Sequence, residues 1–471
     1  MRLYQELADQ LSTLIQEGTL KPGDRVPSVR AVCRERRVSP ATAMRAYELL
    51  ESRGLVETRP RSGYYVCQPT RHTAPQPRRA RSAARSTRVD VSELVFELLD
   101  AVRDREVAPL GSAFPSPVLF PWAKLARYLG SSARHMDPWT TVEGLSPGSA
   151  ELRRQIARRY LRFGTKVSAD EIVITSGALE ALNLSLAVLT RPGDSVAIES
   201  PAFYACLQAI ETLGLKAVEI PTHPSEGVDV GALAQAIEKH SIRACWFMTS
   251  FQNPLGATMP EAKKRELVAL LSQHDIPLIE DDVYAELYFG RERPRPAKAF
   301  DSKGIVLNCS SFSKCLAPGY RLGWVAAGRF AQDIQRRKMM TTLSTSIPVQ
   351  QGIALYLRQD GYDAHLAKLR RTLAAQQATA LRLLSKHFPS GYRVTRPDGG
   401  YFLWIEFPRG VDALELHRLA LDEGIGIAPG PIFSPRREFR NCLRLNCGHP
   451  WTSEMEGAVA TLGQLCRKKN Q

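Results

Sequence analysis

The sequence predicts a multidomain chain: a small N-terminal α+β unit, a large α/β domain and a smaller C-terminal α+β domain. The length of 471 residues exceeds that of one typical domain. Residues 1–67 have the pattern of three amphipathic helices and a hairpin. From residue 96 onward, apolar runs alternate with helical stretches, which is typical of a mostly parallel sheet covered by helices. The predicted parts are 1–67, a linker at 68–95, and 96–471, with the small domain from about 340.

The N-terminal part has clear start and stop signals for its helices. Leucines recur at helical spacing from Leu3, and Gly18 ends this first helix. Ser28 and Ser39 are placed to cap a second and a third helix. Two short apolar runs around a basic tip that contains Arg61 predict a hairpin. Three helices and a hairpin make a winged helix-turn-helix, whose third helix enters the DNA major groove. A helical module that binds another protein is the alternative.

Short runs of residues make this part specific. They are Gly23–Arg30, Val38-Ser39 with Thr42, Arg45–Tyr47, Leu50–Val56 and Ser62–Val66. In these runs the chain resembles the GntR family of bacterial transcription regulators over residues 3–67. The resemblance implies that double-stranded DNA is the partner, and that Arg30, Ser39, Thr42 and Arg45 face it. It also implies that Gly63 lets the wing backbone approach DNA, with the basic tip at Arg61 reaching a neighbouring groove or phosphates. Pro40 departs from the family, which often has arginine there.

The charge of the chain is uneven. The net charge is +15, and residues 1–90 hold 17 basic against 9 acidic residues. Residues 68–89 contain six arginines, no acid and three prolines, without apolar periodicity. This composition predicts a flexible, solvated tether. The tether is either a passive spacer or a source of sequence-independent phosphate contacts.

The cysteines and the apolar runs indicate a cytoplasmic protein. Nine cysteines are scattered with no C-x-x-C pair, which argues against a disulfide framework and a zinc site. We expect no bound metal. No apolar run approaches the length of a membrane span, and the N-terminus lacks the pattern of a signal peptide. We therefore expect no membrane partner.

The run from Ser311 to Trp324 carries the strongest chemical signal. Lys314 lies beside two hydroxyls, Ser311 and Ser313, and Arg321 follows seven residues later. An amine that forms a Schiff base, next to hydroxyls and a guanidinium that bind a phosphate dianion, is what pyridoxal 5'-phosphate (PLP) requires. We therefore expect PLP as the cofactor.

Four other candidates follow predicted strands, at the edge of the sheet where α/β proteins bind ligands. Ser176, with Ala178 and Leu179, opens a helix whose free N–H groups suit an anion. Phe203 suits stacking on a flat ring, Asn253 can donate to a phenolate, and Asp281 with Tyr284 suits a protonated ring nitrogen and a phenolate. Taken singly, each is as well explained by a cap, a turn or core packing.

In this order, the motifs resemble the fold-type I PLP enzymes of the aspartate aminotransferase superfamily, from about residue 110 to 460. The resemblance implies that Lys314 forms the internal aldimine, Asp281 pairs with the pyridine nitrogen, and Arg444 binds a substrate carboxylate. The ring hydroxyl is assigned to Asn253 and Tyr284, and stacking to Phe203. The phosphate is assigned to Ser176, Ala178, Leu179, Ser311, Ser313 and Arg321. One departure is Thr141–Gly144, where this family often has a tyrosine that reaches the neighbouring subunit's phosphate.

A GntR-like reader followed by an aminotransferase-like domain is similar to the MocR subfamily of transcription regulators. This resemblance implies a head-to-tail homodimer in which PLP serves as a sensor of an amino acid, an amine or PLP itself. Three functions stay open. The chain is a PLP-dependent regulator that works through aldimine chemistry at Lys314, a working aminotransferase that carries a DNA reader, or an inactive scaffold. The sequence disfavours the scaffold because Lys314, Asp281 and Arg321 are all present.

Overall fold

The computed structural model describes residues 3–52, 55–59, 62–66, 74–80, 85–100, 106–359, 361–408 and 410–468. The N-terminal module consists of α1 (Leu3–Gln16), α2 (Val29–Arg36), α3 (Pro40–Ser52), β1 (Val56–Arg59) and β2 (Gly63–Val66). β1 and β2 pair antiparallel, with Val56 opposite Val66. Three helices and a two-stranded wing are the winged helix-turn-helix that the sequence predicts.

This module has a core and caps of its own. The inward faces of its helices bury a separate apolar cluster, which includes Leu7, Leu11, Val32, Ala43, Ala46, Tyr47 and Leu50. The Ser28 hydroxyl accepts a hydrogen bond from the Ala31 N–H at 3.1 Å, and Ser39 accepts one from the Thr42 N–H at 3.2 Å. Both serines thus satisfy backbone donors that the first turn of a helix leaves unpaired.

Part of the predicted linker is bound to the rest of the chain. We call residues 74–80 the strap. The Arg78 N–H donates to the Glu406 carboxylate at 2.8 Å, and the Arg79 guanidinium pairs with Asp229. The strap carbonyls accept from the C-terminal part of the chain, through the Val394 N–H and the side chains of Arg393 and Arg396. The prediction of a free, solvated tether is therefore wrong for the strap.

A second part of that linker is a strand. β3 (Ser86–Arg88) pairs antiparallel with an edge of the large sheet, with Thr87 opposite Ala217. Backbone pairing of this kind needs no apolar periodicity in the added strand, so composition alone does not reveal it.

The large domain contains a nine-stranded sheet. Its strand order is β3-β6-β5-β8-β9-β10-β11-β4, with β7 paired to β6. The central pairs, from β6 through β10, are parallel. The strands are β4 (Ile172–Thr175), β5 (Ser195–Ser200), β6 (Lys216–His223), β7 (Gly227–Val228), β8 (Ile242–Phe247), β9 (Leu278–Asp281), β10 (Val306–Ser311) and β11 (Gly323–Ala326). The predicted mostly parallel sheet is confirmed.

Two apolar clusters lie against this sheet. The helices of the large domain are α4 (Ser92–Asp100), α5 (Trp122–Arg134), α6 (Thr140–Glu143), α7 (Ala150–Arg162), α8 (Ala178–Leu189), α9 (Tyr204–Thr212), α10 (Val230–Lys239), α11 (Glu261–Gln273), α12 (Ala331–Thr341) and α13 (Ile347–Arg358). Within the ranges described, no helix has both the length and the apolar character needed to cross a bilayer.

The C-terminal part is the predicted α+β unit. It contains a four-stranded antiparallel sheet in the order β12-β13-β15-β14. Its elements are α14 (Gly361–His387), β12 (Arg393–Val394), β13 (Phe402–Glu406), α15 (Ala413–Asp422), β14 (Ala428–Pro429), β15 (Cys442–Asn446) and α16 (Ser453–Lys468). The segment around Ala108, far earlier in the sequence, pairs with this C-terminal part. The Ala108 N–H donates to the Gly424 carbonyl, and the Gly426 N–H donates to the Ala108 carbonyl.

Candidate functional site

The predicted cofactor residues converge at one edge of the large sheet. Asp281 ends β9, Lys314 follows β10, and Asn253 lies beyond the end of β8. Ser176 lies between β4 and α8, and Phe203 lies between β5 and α9. Because these strands run parallel, their carboxyl ends meet at the same edge, and the side chains gather there although they are far apart in sequence.

Lys314 is held by a segment that the sequence analysis did not single out. Its Nζ donates to the Ala113 carbonyl at 2.9 Å and lies 3.5 Å from the centre of the Phe114 ring. Burial lowers the pKa of Lys314 to about 7, with the Arg444 cation acting in the same direction. The Asp281 carboxylate opposes them. A lysine in this environment holds a large fraction of neutral, nucleophilic amine near pH 7.

Asp281 is a buried carboxylate at the centre of the predicted cofactor residues. Its side chain is 1% exposed, and Oδ1 lacks a hydrogen-bond partner among the residues described. Burial raises the pKa of Asp281 to about 7. A buried carboxyl oxygen without a donor is costly unless a ligand supplies one. The site therefore suits a ligand that presents an N–H or a cationic nitrogen at this point.

Arg444 and Asn253 form a second polar pair in the site. The Arg444 Nη1 donates to the Asn253 Oδ1 at 2.9 Å, which leaves the Asn253 Nδ2 without an acceptor within the described chain. Nη2 donates to the carbonyl of Gly111 at 2.7 Å, and Arg444 is 0% exposed. Tyr284 is buried nearby, and burial raises its pKa well above the usual range. Among the described residues the acceptors of this buried guanidinium are carbonyls, an amide and the Tyr204 side chain, whereas a guanidinium binds a carboxylate best.

The predicted phosphate-binding residues lie around the N-terminus of α8, which Ala178 and Leu179 open. Arg321 donates from Nη1 to the Ser313 hydroxyl at 3.4 Å and from Nη2 to the Ser176 carbonyl at 3.4 Å. The Ser311 hydroxyl accepts from the Ser313 N–H at 3.3 Å. A guanidinium, two hydroxyls and a helix N-terminus together favour a phosphate dianion.

We call the residues around the N-terminus of α8 the phosphate cradle. Two glycines allow its backbone and side chains to lie this close together. At Gly177, whose φ is +88°, a Cβ atom would lie 2.6 Å from the Arg321 guanidinium. At Gly323, a Cβ atom would lie 2.6 Å from the Gly177 carbonyl carbon and 2.8 Å from the Ala178 nitrogen. Both positions therefore require the absence of a side chain.

Phe203 lies partly buried at the edge of the site. Its ring centroid is 4.7 Å from that of Tyr204, at an angle of 54°. The departure at Thr141–Gly144 is short helix α6 and the turn that ends it, and the Gly144 carbonyl accepts from the Ser344 hydroxyl at 3.4 Å.

Sequence reasoning missed the segment 111–114, which contacts both Lys314 and Arg444. Its carbonyls accept hydrogen bonds from Arg444, Asn446, Lys314, Tyr401 and His449. The segment acts through backbone oxygens, so no catalytic residue type marks it. Only its glycine and small residues signal a close approach of backbone.

The predicted DNA residues lie on the N-terminal module. Arg30 and Arg45 are exposed, and the Ser39 and Thr42 hydroxyls lie 2.8 Å apart at the start of α3. Gly63 has a φ of +106°, and a Cβ there would lie 3.5 Å from the Arg25 guanidinium. Arg61 lies outside the described residues.

Two family profiles match this chain. The profile "bacterial regulatory proteins, gntR family" covers residues 3–66, and "aminotransferase class I and II" covers residues 139–462. The chain belongs to the aminotransferase class I and II family and carries a GntR-type reader. This is the MocR-type architecture, a regulator fused to an aminotransferase-like domain, with a fold-type I large domain and PLP as its cofactor.

Individual relatives agree with both halves. The chain is 48% identical over 474 residues to the "uncharacterized HTH-type transcriptional regulator YdcR" of Escherichia coli K12, and the match covers 100% of each. It is 33% identical to "aromatic-amino-acid aminotransferase 1" of Thermococcus litoralis, over 80% of this chain and 91% of that one. Among solved structures, the kynurenine aminotransferase of Pyrococcus horikoshii matches with a TM-score of 0.76 at 29% identity, over 81% of this chain and 96% of that one.

The residues present fit PLP. Asp281 Oδ1 and Asn253 Nδ2, which find no partner in the described part of the chain, lie in one site with the buried Lys314 and the residues that suit a phosphate. When bound, PLP supplies a carbonyl that condenses with amines and a ring that withdraws electrons.

Proposed function

We propose that this chain is a cytoplasmic transcriptional regulator whose PLP site senses an amino acid, an amine or PLP itself, and thereby changes DNA binding by the N-terminal module. The observation that carries the proposal is a set of buried groups that have no hydrogen-bond partner among the described residues, Asp281 Oδ1, Asn253 Nδ2 and Arg444 Nε, in a chain that also folds a winged helix. A scaffold that needs no ligand would gain stability by losing these groups.

Each predicted residue has a role in this proposal. Lys314 forms the covalent bond to PLP, Asp281 binds the ring nitrogen, and Arg444 binds the carboxylate of an amino acid. Asn253 and Tyr284 bind the ring oxygen, and Phe203 stacks on the ring. The phosphate is bound by Ser176, Ala178, Leu179, Ser311, Ser313 and Arg321. DNA is contacted by Arg30, Ser39, Thr42, Arg45, Arg61 and Gly63.

The carboxylate of an effector must compete with backbone for Arg444. The guanidinium donates to the carbonyls of Gly111 at 2.7 Å and Ser112 at 3.3 Å. A carboxylate accepts two parallel, charge-assisted hydrogen bonds from arginine and is a stronger partner than a neutral carbonyl. Effector binding therefore releases the segment 111–114 from Arg444, while the Asn446 side chain continues to hold Ser112 and Phe114.

The strap offers a route from this site to the DNA reader. β15, which carries Arg444, pairs with β13, and Cys442 lies opposite Glu406 in that pair. Glu406 accepts from the Arg78 N–H of the strap. The strap is also tied to the large domain by the ion pair between Arg79 and Asp229. A shift of β15 relative to the large domain would therefore pull on the strap, which leads to the N-terminal module.

We further propose that the regulator is a head-to-tail homodimer. Large apolar side chains lie exposed on the large domain, among them Trp139 at 71% exposure, Val142 at 57% and Met340 at 78%. Large exposed apolar side chains are typical of surfaces that a partner covers. A symmetric dimer would present two DNA readers to repeated half-sites.

An aminotransferase is the second candidate, because the chain retains the amine, the buried carboxylate and the buried arginine that this chemistry uses. One titration separates the two functions. PLP-loaded protein is mixed with a panel of amino acids and amines, and the near-visible absorbance is followed. A sensor gives a new spectrum that persists. Decay to the pyridoxamine form, reversed by a keto acid, identifies a working aminotransferase. No response to any compound contradicts both.

A further inference from the structure

We propose that the DNA-reading face of α3 docks against α14, so that the chain holds its own DNA reader in a form that excludes DNA. The proposal concerns the protein without any effector and does not depend on the sensing function. It makes α14 an interaction surface whose partner is the N-terminal module.

The inward face of α3 fixes which side reads DNA. Ala43, Ala46, Tyr47 and Leu50 are each 0% exposed in the core of the module. At 100° per residue, Arg45 lies on the opposite side of the helix, and Leu49 lies next to it. In winged helix-turn-helix proteins this outward side of the third helix enters the major groove.

The outward side of α3 faces the C-terminal α+β part. Arg45, Glu48 and Leu49 line one wall of a cleft of about 690 Å³, together with Tyr4 and Gln5 of α1. The opposite wall is the α14 face, which we define as Arg371, Thr372, Ala375, Gln376, Thr379 and the adjoining Trp451.

The α14 face is held in place by hydrogen bonding. Trp451 is fixed to α14, because its Nε1 donates a hydrogen bond to the backbone carbonyl of Gln376 at 2.8 Å. Gln376 is 7% exposed, and its side-chain oxygen has no hydrogen-bond partner in the part of the chain described. A buried amide oxygen at a cleft wall favours a donor from the other side.

DNA and α14 cannot occupy the outward side of α3 together. Cα atoms of α3 come within 8 Å of Cα atoms of α14. The major groove is about 12 Å wide and about 8.5 Å deep, and a reading helix inserted in it has sugar-phosphate backbone on both flanks. A second protein helix within helix-packing distance fills that space. The N-terminal module must therefore leave α14 before α3 reads DNA.

The contact is suited to reversal. Arg45 and Arg371 place two cations in the same cleft, with Glu48 the acid among the residues that line it. A cleft of this volume also indicates incomplete packing between its walls. Docking of this kind lowers the apparent DNA affinity in proportion to the undocked fraction of the protein.

The first test adds charge to the α14 face. Ala375→Arg adds a third cation opposite Arg45, so it should undock the module and tighten DNA binding. The matched control is Ala364→Arg, which adds the same charge at an exposed position of α14 about 16 Å along the helix. Binding is measured by fluorescence anisotropy with a labelled DNA duplex of random sequence. We expect Ala375→Arg to bind at least about fivefold more tightly than Ala364→Arg, with matching thermal unfolding midpoints as the check on folding.

The second test should move the affinity in the opposite direction. Arg371→Glu places an anion across from Arg45 and strengthens docking, so DNA binding should weaken by about fivefold relative to the control. That control, Arg418→Glu, makes the same charge change at an exposed position on α15. Equal affinities within each pair of variant and control would overturn the docking proposal. Because the assay contains neither PLP nor an amino compound, that outcome would leave the sensing function untouched.

Discussion

Lys314 should react with PLP as a neutral amine near pH 7, and this sets the pH dependence of cofactor attachment. The lysine is buried, beside the Arg444 and Arg321 cations and opposite the Asp281 carboxylate. Burial and both cations disfavour the charged ammonium, whereas the carboxylate favours it. The pKa of Lys314 falls to about 7 because burial and the two cations together outweigh the carboxylate.

The size of the effect follows from this pKa. At pH 7 about half of Lys314 is neutral, whereas an ordinary lysine with a pKa of 10.5 is neutral in only about 0.03% of molecules. The gain in reactive amine is therefore about a thousandfold. Because a lowered pKa leaves the neutral form dominant above it, the rate of attachment should rise through pH 7 and then level off.

The assay mixes cofactor-free protein with PLP and follows the initial rate of the near-visible absorbance change from about pH 6 to about pH 10. A free lysine derivative under the same conditions gives the behaviour of an unburied amine. Asp281→Asn removes the anion that raises the pKa of Lys314, so the midpoint should move down. Arg444→Met removes a cation that lowers it, so the midpoint should move up. A wild-type midpoint near 10, or shifts of the same sign in both variants, would refute the reasoning.

Three further predictions concern the carboxylate site, the phosphate cradle and the DNA reader. Arg444→Ala should weaken binding of an amino acid by about 2–5 kcal/mol, while titration with the amine that lacks its carboxylate should be little changed; equal losses would make Arg444 structural. Gly323→Ala should destabilise the fold by about 1–3 kcal/mol, because its Cβ would meet backbone at the start of α8. Gly319→Ala, where nothing lies within 4 Å, is its control in thermal unfolding, and equal midpoints would refute the clash. Arg45→Ala should cost about 1–3 kcal/mol of DNA affinity in a gel-shift titration, and unchanged binding would remove Arg45 from the interface.

The sequence was most informative where local chemistry determines structure. Ser28 and Ser39 cap the helices they were expected to cap. The buried strands were identifiable because they are short apolar runs that alternate with helical stretches, and β4 is such a run with all four residues buried. Most of the cofactor residues were identifiable because they lie at or beyond the end of a strand, and parallel strands bring their ends to one edge.

The sequence was least informative where backbone makes the contact. The strap and the segment 111–114 are both held through their carbonyl groups, and any residue type supplies a carbonyl. The arginine-rich composition of the linker indicated solvation, yet Arg79 found an acid on α10's N-terminal cap, Asp229. That pairing joins residues 150 positions apart, so no local pattern reveals it.

The central claim is that chemistry at Lys314 controls DNA binding. The most direct measurement is the DNA affinity of PLP-loaded protein with and without the compound that changes its absorbance, for the wild type and for Lys314→Ala. The account predicts that the compound changes the affinity of the wild type by about fivefold or more, and that Lys314→Ala, which folds but binds no PLP covalently, does not respond. An equal response in both proteins, or a Schiff-base spectrum in Lys314→Ala, would contradict it.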